Sequence, residues 1–346
     1  MKKGIVASIL CLLVVAMMVS GFAKPTIAAE KEKVVVDFLG STYGSFAFIA
    51  MYSASDIINK HHPTIKGLVH ETFGASDCIK RLDADPKLRK HAFASGTVPA
   101  LYGARAGVPK GIYPRPITGI LNLWNEVGAT YLLVTTDPKI KTPADLVGKR
   151  VDVGAYGNFM AITGEYLLEA YGVKDKVASL EHSAKYQTAF ANLVDGKIDV
   201  TVIGMLKLGE KKCGFNAATR ELMAARKVYP LETSKEMIAK TTKISKIPYA
   251  AWTLEEGVFN KGAPPVTCIE YPLNAVAHED MPEELVYELM KVLIANADKF
   301  KNYSKIASWM TKENMAAMHI PVEDFHPGAI KAYREAGVKI GEEYFK

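Results

Sequence analysis

The chain has 346 residues, a formal charge of +6, 49% hydrophobic residues and 23% charged ones. That length exceeds what one compact core fills and suits two lobes, and the composition excludes a disordered chain. The positive charge is too mild for nucleic-acid binding, more so once Lys2, Lys3 and Lys24 are removed with a leader, and interspersed lysines and acids read as solvated faces.

Met1-Lys2-Lys3 is a basic start, residues 5–19 are apolar, and small residues follow with cleavage positions after Ala23, Ala28 or Ala29. This is the pattern of a secretory signal peptide over residues 1–29. The apolar run is short for a bilayer span. Export to a bacterial periplasm, or the equivalent outside compartment, is the expectation. Cys11 lies inside the leader, so Cys78, Cys213 and Cys268 remain. Two arrangements stay open: one bridge, Cys213–Cys268, with a thiol left over, or three buried reduced thiols.

Residues 33–39 read as a strand that runs into Gly40-Ser41-Thr42-Tyr43-Gly44-Ser45, with a helix over 46–61. The same order, strand then small polar residues with glycine then helix, returns at 67–83 and 91–106. In the fourth instance, a strand over 149–153 enters Gly154-Ala155-Tyr156-Gly157-Asn158 ahead of a helix over 159–171. Thr142-Pro143-Ala144-Asp145 just upstream is a capped helical turn with Gly148 as its stop. Repeated crossovers of this kind predict parallel sheets flanked by helices, with ligands at the carboxyl ends of strands where helix N-termini meet. Farther on, the pattern predicts a helix over 184–194, a turn and strand over 196–203, and mostly helical chain over 208–245. A loop over 248–265 and a bent or edge strand over 266–277 containing Pro272 come next. Helices over 281–303, 306–318 and 326–337 close the chain.

Nucleophile-elbow, zinc-protease, Cys-x-x-Cys, Walker and dinucleotide motifs are all missing from the sequence. His61-His62 read as a solvated helix end, and His278-Glu279-Asp280 as a strand-to-helix cap rather than a metal site. No cofactor or metal is expected. Arg115, between two prolines, fits either a carboxylate clamp or a surface role.

Four stretches carry a family resemblance: Gly40-Ser41-Thr42 with Gly44-Ser45-Phe46; Thr142-Pro143-Ala144-Asp145-Leu146 with Gly148-Lys149-Arg150-Val151; Leu193-Val194-Asp195-Gly196-Lys197-Ile198-Asp199; and His326-Pro327-Gly328-Ala329-Ile330 with Tyr333 and Glu335-Ala336-Gly337. The chain resembles the TAXI-type extracytoplasmic solute receptors of TRAP (tripartite ATP-independent periplasmic) transporters over nearly all of residues 33–340. The resemblance implies a two-lobed α/β periplasmic-binding-protein fold, type II-like, each lobe a mainly parallel sheet flanked by helices. Lobe one would be 30–125 plus 275–346 and lobe two 126–274. It implies a monomer that captures a small organic acid or amino-acid-like carboxylate and hands it to TRAP membrane permease subunits, and no enzyme. Alternatives are a receptor for a membrane signalling protein and an enzyme on the same fold.

Carried over by position, the ligand-binding residues would be Thr42, Tyr43, Ser45, Phe46, Ser76, Ser95, Thr97, Gly154, Asn158, Phe159, Met160, Gly204, Met205 and Trp252. Ile79 replaces the family's usual asparagine. Asn158, Phe159 and Met160 replace a Ser-Gly-Thr, and Trp252 stands where tyrosine is frequent. These departures imply a carboxylate with an apolar or aromatic body. Backbone amides of 40–45 and 154–158 would converge on it as the lobes close.

Overall fold

The computed structural model describes residues 33–156, 158–209 and 212–345, and the residues from Val35 on form one compact unit. The expected leader, 1–29, lies outside the described residues. Among the described residues no helix is long and apolar enough to cross a membrane.

The strands are β1 Val34–Leu39, β2 Ile65–His70, β3 Ala92–Thr97, β4 Ile120–Thr135, β5 Arg150–Asp152, β6 Ser179–Glu181, β7 Thr201–Ile203, β8 Met205–Lys207, β9 Cys213–Phe215, β10 Tyr229–Leu231, β11 Ala250–Leu254 and β12 Val266–His278. The α-helices are α1 Phe46–His61, α2 Ala75–Ala84, α3 Pro86–His91, α4 Val98–Ala106, α5 Phe159–Tyr171, α6 Tyr186–Val194, α7 Ala217–Ala225, α8 Lys235–Ser245, α9 Glu283–Ala295, α10 Lys312–Ala316 and α11 Pro327–Glu335. The class is α/β, as the sequence predicts.

The sheet, however, is mixed rather than mainly parallel. The main path runs β2-β1-β3-β12-β4-β8-β9. β1 and β3 are parallel, as are β5 and β6. β12 runs antiparallel to β3, β4 and β11, and β4 runs antiparallel to β7, β8 and β10. The cause is two long strands, β4 of 16 residues and β12 of 13, whose side chains are almost all buried or half-buried. Pro272 does not put β12 on an edge. It sits opposite Gly128 of β4, in the gap between Glu270, the last residue paired with β11, and Leu273, the first paired with β3, and the pairing with β4 shifts register one residue later. A proline lacks only its own donor, and a glycine across from it leaves room. The chain over 208–245 is also less helical than its charge pattern suggests. It contains β9 and β10, and β11 runs through the expected loop.

Four apolar clusters form the core. Two draw on residues 36–124 with 275–340 and on 39–120 with Val276. The other two draw on 129–271 and 132–268. Trp124 sits in the first and Tyr131 in another, so β4 passes from one set of clusters to the other.

The capped turn forms as predicted. Pro143–Leu146 is a 3-10 turn, and Asp145 accepts the Thr142 backbone N–H at 2.8 Å. Cys78, Cys213 and Cys268 are all free thiols, so the Cys213–Cys268 bridge is not formed. Arg115 takes the surface role, paired with Asp83 at 2.5 Å with its side chain 65% exposed. His278 caps the turn after β12, its Nδ1 accepting the Asp280 N–H at 3.0 Å.

Candidate functional site

β5 ends on Asp152, which is fully buried. Its two carboxylate oxygens hold two different loops. Oδ1 accepts the Gly154 N–H at 2.9 Å and Oδ2 accepts the Ser183 N–H at 3.0 Å. Gly154 turns the chain with a φ of 95°, which a residue with a Cβ rarely adopts. Its carbonyl accepts a hydrogen bond from His182 Nδ1 at 3.2 Å, so the loop after β5 and the loop after β6 are tied twice. Tyr156 closes edge-on over the His182 ring at 5.4 Å.

Between these loops lies a hollow of about 100 Å³, bordered by Gly154, Asn158, Met160, Ser183, Lys185 and Tyr186. Two helices begin at it. α5 is capped by Asn158, whose Oδ1 accepts the Met160 N–H at 3.0 Å. α6 begins after Lys185 with no side-chain cap, which leaves its first N–H groups open to a ligand and puts an exposed ammonium beside them. Thr201 forms another part of the wall. It is fully buried, and its Oγ1 has no hydrogen-bond partner among the described residues. Burial raises the Tyr186 phenol to about 12, so it stays a neutral donor. The set can bind a small group rich in acceptor oxygens: donors from α6, Lys185, Thr201 and Tyr186 face it, while Asp152 is occupied by backbone N–H groups. Among the described residues no group of three metal-ligating side chains forms.

Of the residues read from the sequence, Gly154, Asn158 and Met160 meet here. Gly204 stands beside them, since a Cβ there would lie 2.9 Å from the Tyr186 hydroxyl. Phe159 instead packs edge-on against Tyr271 at 4.9 Å. Met205 and Trp252 are core residues, 1% and 5% exposed, in the cluster with Phe190 and Cys268. Trp252 lies opposite Cys268 in the β11–β12 pair, and that register carries it into the cluster rather than to a cleft.

The remaining expected residues do not line this hollow. Thr42 is exposed, and Tyr43 is 80% exposed, with its N–H on Glu71 at 2.7 Å. Ser45 caps α1 by accepting the Phe48 N–H, and Phe46 packs on the first core cluster. Ser76 accepts from the Tyr113 hydroxyl at 2.9 Å. Ser95 is buried, and Thr97 caps α4 through the Ala100 N–H at 3.0 Å. Two of these hydroxyls, Ser45 and Thr97, act as helix caps.

Asp152, Ser183, Lys185, Tyr186 and Thr201 were not singled out by the sequence. Their signal was present: residues 179–186 repeat the order of strand, small polar residues and helix start.

The model of the NMT1-like family matches residues 42–337 of the chain. Similar solved structures include the periplasmic aliphatic sulphonate binding protein SsuA from Escherichia coli, at 12% identity over 88% of this chain and 84% of that one, TM-score 0.46. The periplasmic binding protein BugD matches at 15% identity over 90% and 99%, TM-score 0.46. MatC from Rhodopseudomonas palustris, solved with bound malate, matches at 13% identity over 82% and 94%, TM-score 0.46.

Proposed function

The chain belongs to the NMT1-like family, and from that premise we propose that it is an extracytoplasmic receptor that captures a small carboxylate and hands it to a membrane permease of the TRAP type. The family is one of substrate-binding receptors, not enzymes. The observation that carries the ligand class is the hollow at Gly154. There the uncapped start of α6, the Lys185 ammonium and the unpartnered Thr201 hydroxyl surround a space of about 100 Å³. Donors without a basic protein acceptor suit an anion, and hydrogen bonds to a charged group contribute about 1.5–3 kcal/mol each.

Two lobes, 30–125 plus 275–346 and 126–274, would carry the two jaws. The separation of the core clusters supports that division, since they change over between Trp124 and Ala129 and between Tyr271 and Ala275. The second jaw is the Asp152-tied pair of loops. The first is the 40–45 loop, with Tyr43 exposed at its tip. A ligand that touches both jaws favours the closed form because only that form makes both sets of contacts. Met160 in the wall of the hollow favours an acid with an apolar body. The basic and apolar start of the sequence supports export through a cleaved leader.

Calorimetry of the mature protein against a panel of mono- and dicarboxylates tests the ligand class. Binding of an apolar carboxylate, weakened when Lys185 is replaced by methionine, is expected. Binding of uncharged solutes alone would overturn it. Reconstitution with TRAP permease subunits in vesicles tests the partner, the expected result being uptake that requires this protein.

A further inference from the structure

The strand β12 has two working faces. Tyr271 packs on Phe159 and donates its hydroxyl to Met160 Sδ at 3.0 Å, on the side of the hollow described above. Glu270 and Pro272, its neighbours in sequence, point the other way because successive side chains of a strand alternate. They line a second hollow of about 410 Å³, which shares no lining residue with the first. Its volume falls in the range of about 300–1,000 Å³ usual for small-molecule sites.

The second hollow is a built site. Lys207 and Glu270 form an ion pair at 3.1 Å, with side chains only 20% and 14% exposed. Gly128 makes room for that pair, since a Cβ there would lie 2.6 Å from Glu270 Oε1 and 3.2 Å from Lys207 Cδ. Asn125, on β4, is 3% exposed. Its amide nitrogen is used by the Ala317 carbonyl at 2.8 Å, whereas its Oδ1 has no partner among the described residues. Trp309 forms part of the wall, and Phe345, with His319 stacked on it at 3.5 Å, forms another.

We propose that this hollow is a second small-molecule site, for a neutral molecule with a flat apolar body and an N–H donor, of the aromatic primary amide class. The charge of the walls argues against an ion: Lys207 and Glu270 neutralise each other, and among the described residues no further charged side chain borders the hollow. The buried acceptor decides for a donor. An unsatisfied buried amide oxygen costs about 1–3 kcal/mol, and a ligand N–H placed on Asn125 Oδ1 recovers it. The ring faces decide for a flat body, which gains by stacking. The amide's own carbonyl oxygen can accept from Lys207 Nζ.

The test uses benzamide as probe and benzoate as control on the intact protein, with binding followed by ligand-observed NMR and calorimetry. Two variants are compared with the parent. Asn125→Leu removes the acceptor, and Ala250→Phe fills the hollow from β11, where Ala250 lies opposite Glu270. Circular dichroism and the thermal midpoint report whether each variant is folded. One-to-one benzamide binding in the millimolar range, weakened about tenfold or more in the folded variants while benzoate fails to bind, is the expected result. Absence of benzamide binding, equal binding of benzoate, or unchanged affinity in both variants overturns the proposal. Because Ala250 and Asn125 do not line the Gly154 hollow, failure here leaves the carboxylate site untouched, and the reverse.

Discussion

The buried carboxylate of Asp152 accepts the backbone N–H of Ser183 at 3.0 Å while also holding Gly154 at 2.9 Å. One side chain thus fixes the spacing of two loops that are contributed by different strand ends. Asp152→Asn keeps the size but replaces one acceptor oxygen with an N–H₂ group that faces an N–H. A loss of about 1.5–3 kcal/mol in stability is expected from the weakened charge-assisted bonds. Affinity for the carboxylate should fall further than stability alone explains, because the α5 and α6 starts would no longer be held in register. Urea unfolding and calorimetry on the same preparation separate the two effects.

Gly204 gives a cleaner probe of the hollow. Its backbone has no left-handed requirement, so alanine is sterically acceptable to the chain itself. The added Cβ would lie 2.9 Å from the Tyr186 hydroxyl and 3.3 Å from Met160 Cε. Both belong to packed side chains that must shift, so Gly204→Ala should cost about 1–3 kcal/mol in stability. Moving them disturbs the wall of the hollow, and ligand affinity should fall by about tenfold. Unchanged affinity would show that the ligand sits elsewhere.

The contrast between these residues explains how much the sequence made legible. The glycine turn at Gly154 and the helix start at Asn158 stand next to each other in the chain, and local chemistry announces both. Asp152 has no such mark: its role depends on Ser183, 31 residues away, and on the parallel pairing of β5 with β6. Ser45 and Thr97 show a related limit. A serine or threonine before a helix has the same local pattern whether its oxygen caps the helix or meets a solute, and here both cap. Most of the helices were legible from their spacing and caps. The mixed sheet was not, because a long apolar strand such as β4 has the same composition whether its neighbours run parallel or antiparallel.

Glu126 supplies a prediction about pH. The pairing of β4 with β12 passes from Val127↔Leu273 to Asn125↔Asn274, so Glu126 is left over as a bulge residue. It is fully buried, and neither carboxyl oxygen has a hydrogen-bond partner among the described residues. Burial therefore pushes its pKa well above the ordinary 4.5. The sign follows from a folded value above the unfolded one. The favourable contribution is complete below pH 4.5 and is lost as pH rises toward the folded value, at about 1.4 kcal/mol per unit. Glu126→Gln cannot ionise, so stability measured by urea unfolding should gain most at neutral and alkaline pH and little near pH 4. A gain that is the same at every pH would contradict the assignment.

His326 works in the opposite direction. It caps α11 by accepting the Gly328 N–H on Nδ1 at 3.2 Å, and its Nε2–H donates to the Met281 carbonyl at 3.1 Å. The bond from Gly328 requires a neutral ring at Nδ1, and at 1% exposure burial lowers the pKa from 6.5 to about 4 against the opposing pull of the Met281 carbonyl. A depressed folded value gives stability that is complete above pH 6.5 and is lost as pH falls through 4. Between pH 4.5 and 6.5 the slopes from His326 and Glu126 oppose each other, so the parent should show a shallow dependence there. His326→Asn retains a cap acceptor that does not titrate. It should cost about 1 kcal/mol at neutral pH through the lost bond to Met281 and unmask the fall in stability with rising pH that Glu126 produces. Glu126→Gln should steepen the rise toward neutral pH, and the double variant should show neither slope, which urea unfolding across this range resolves.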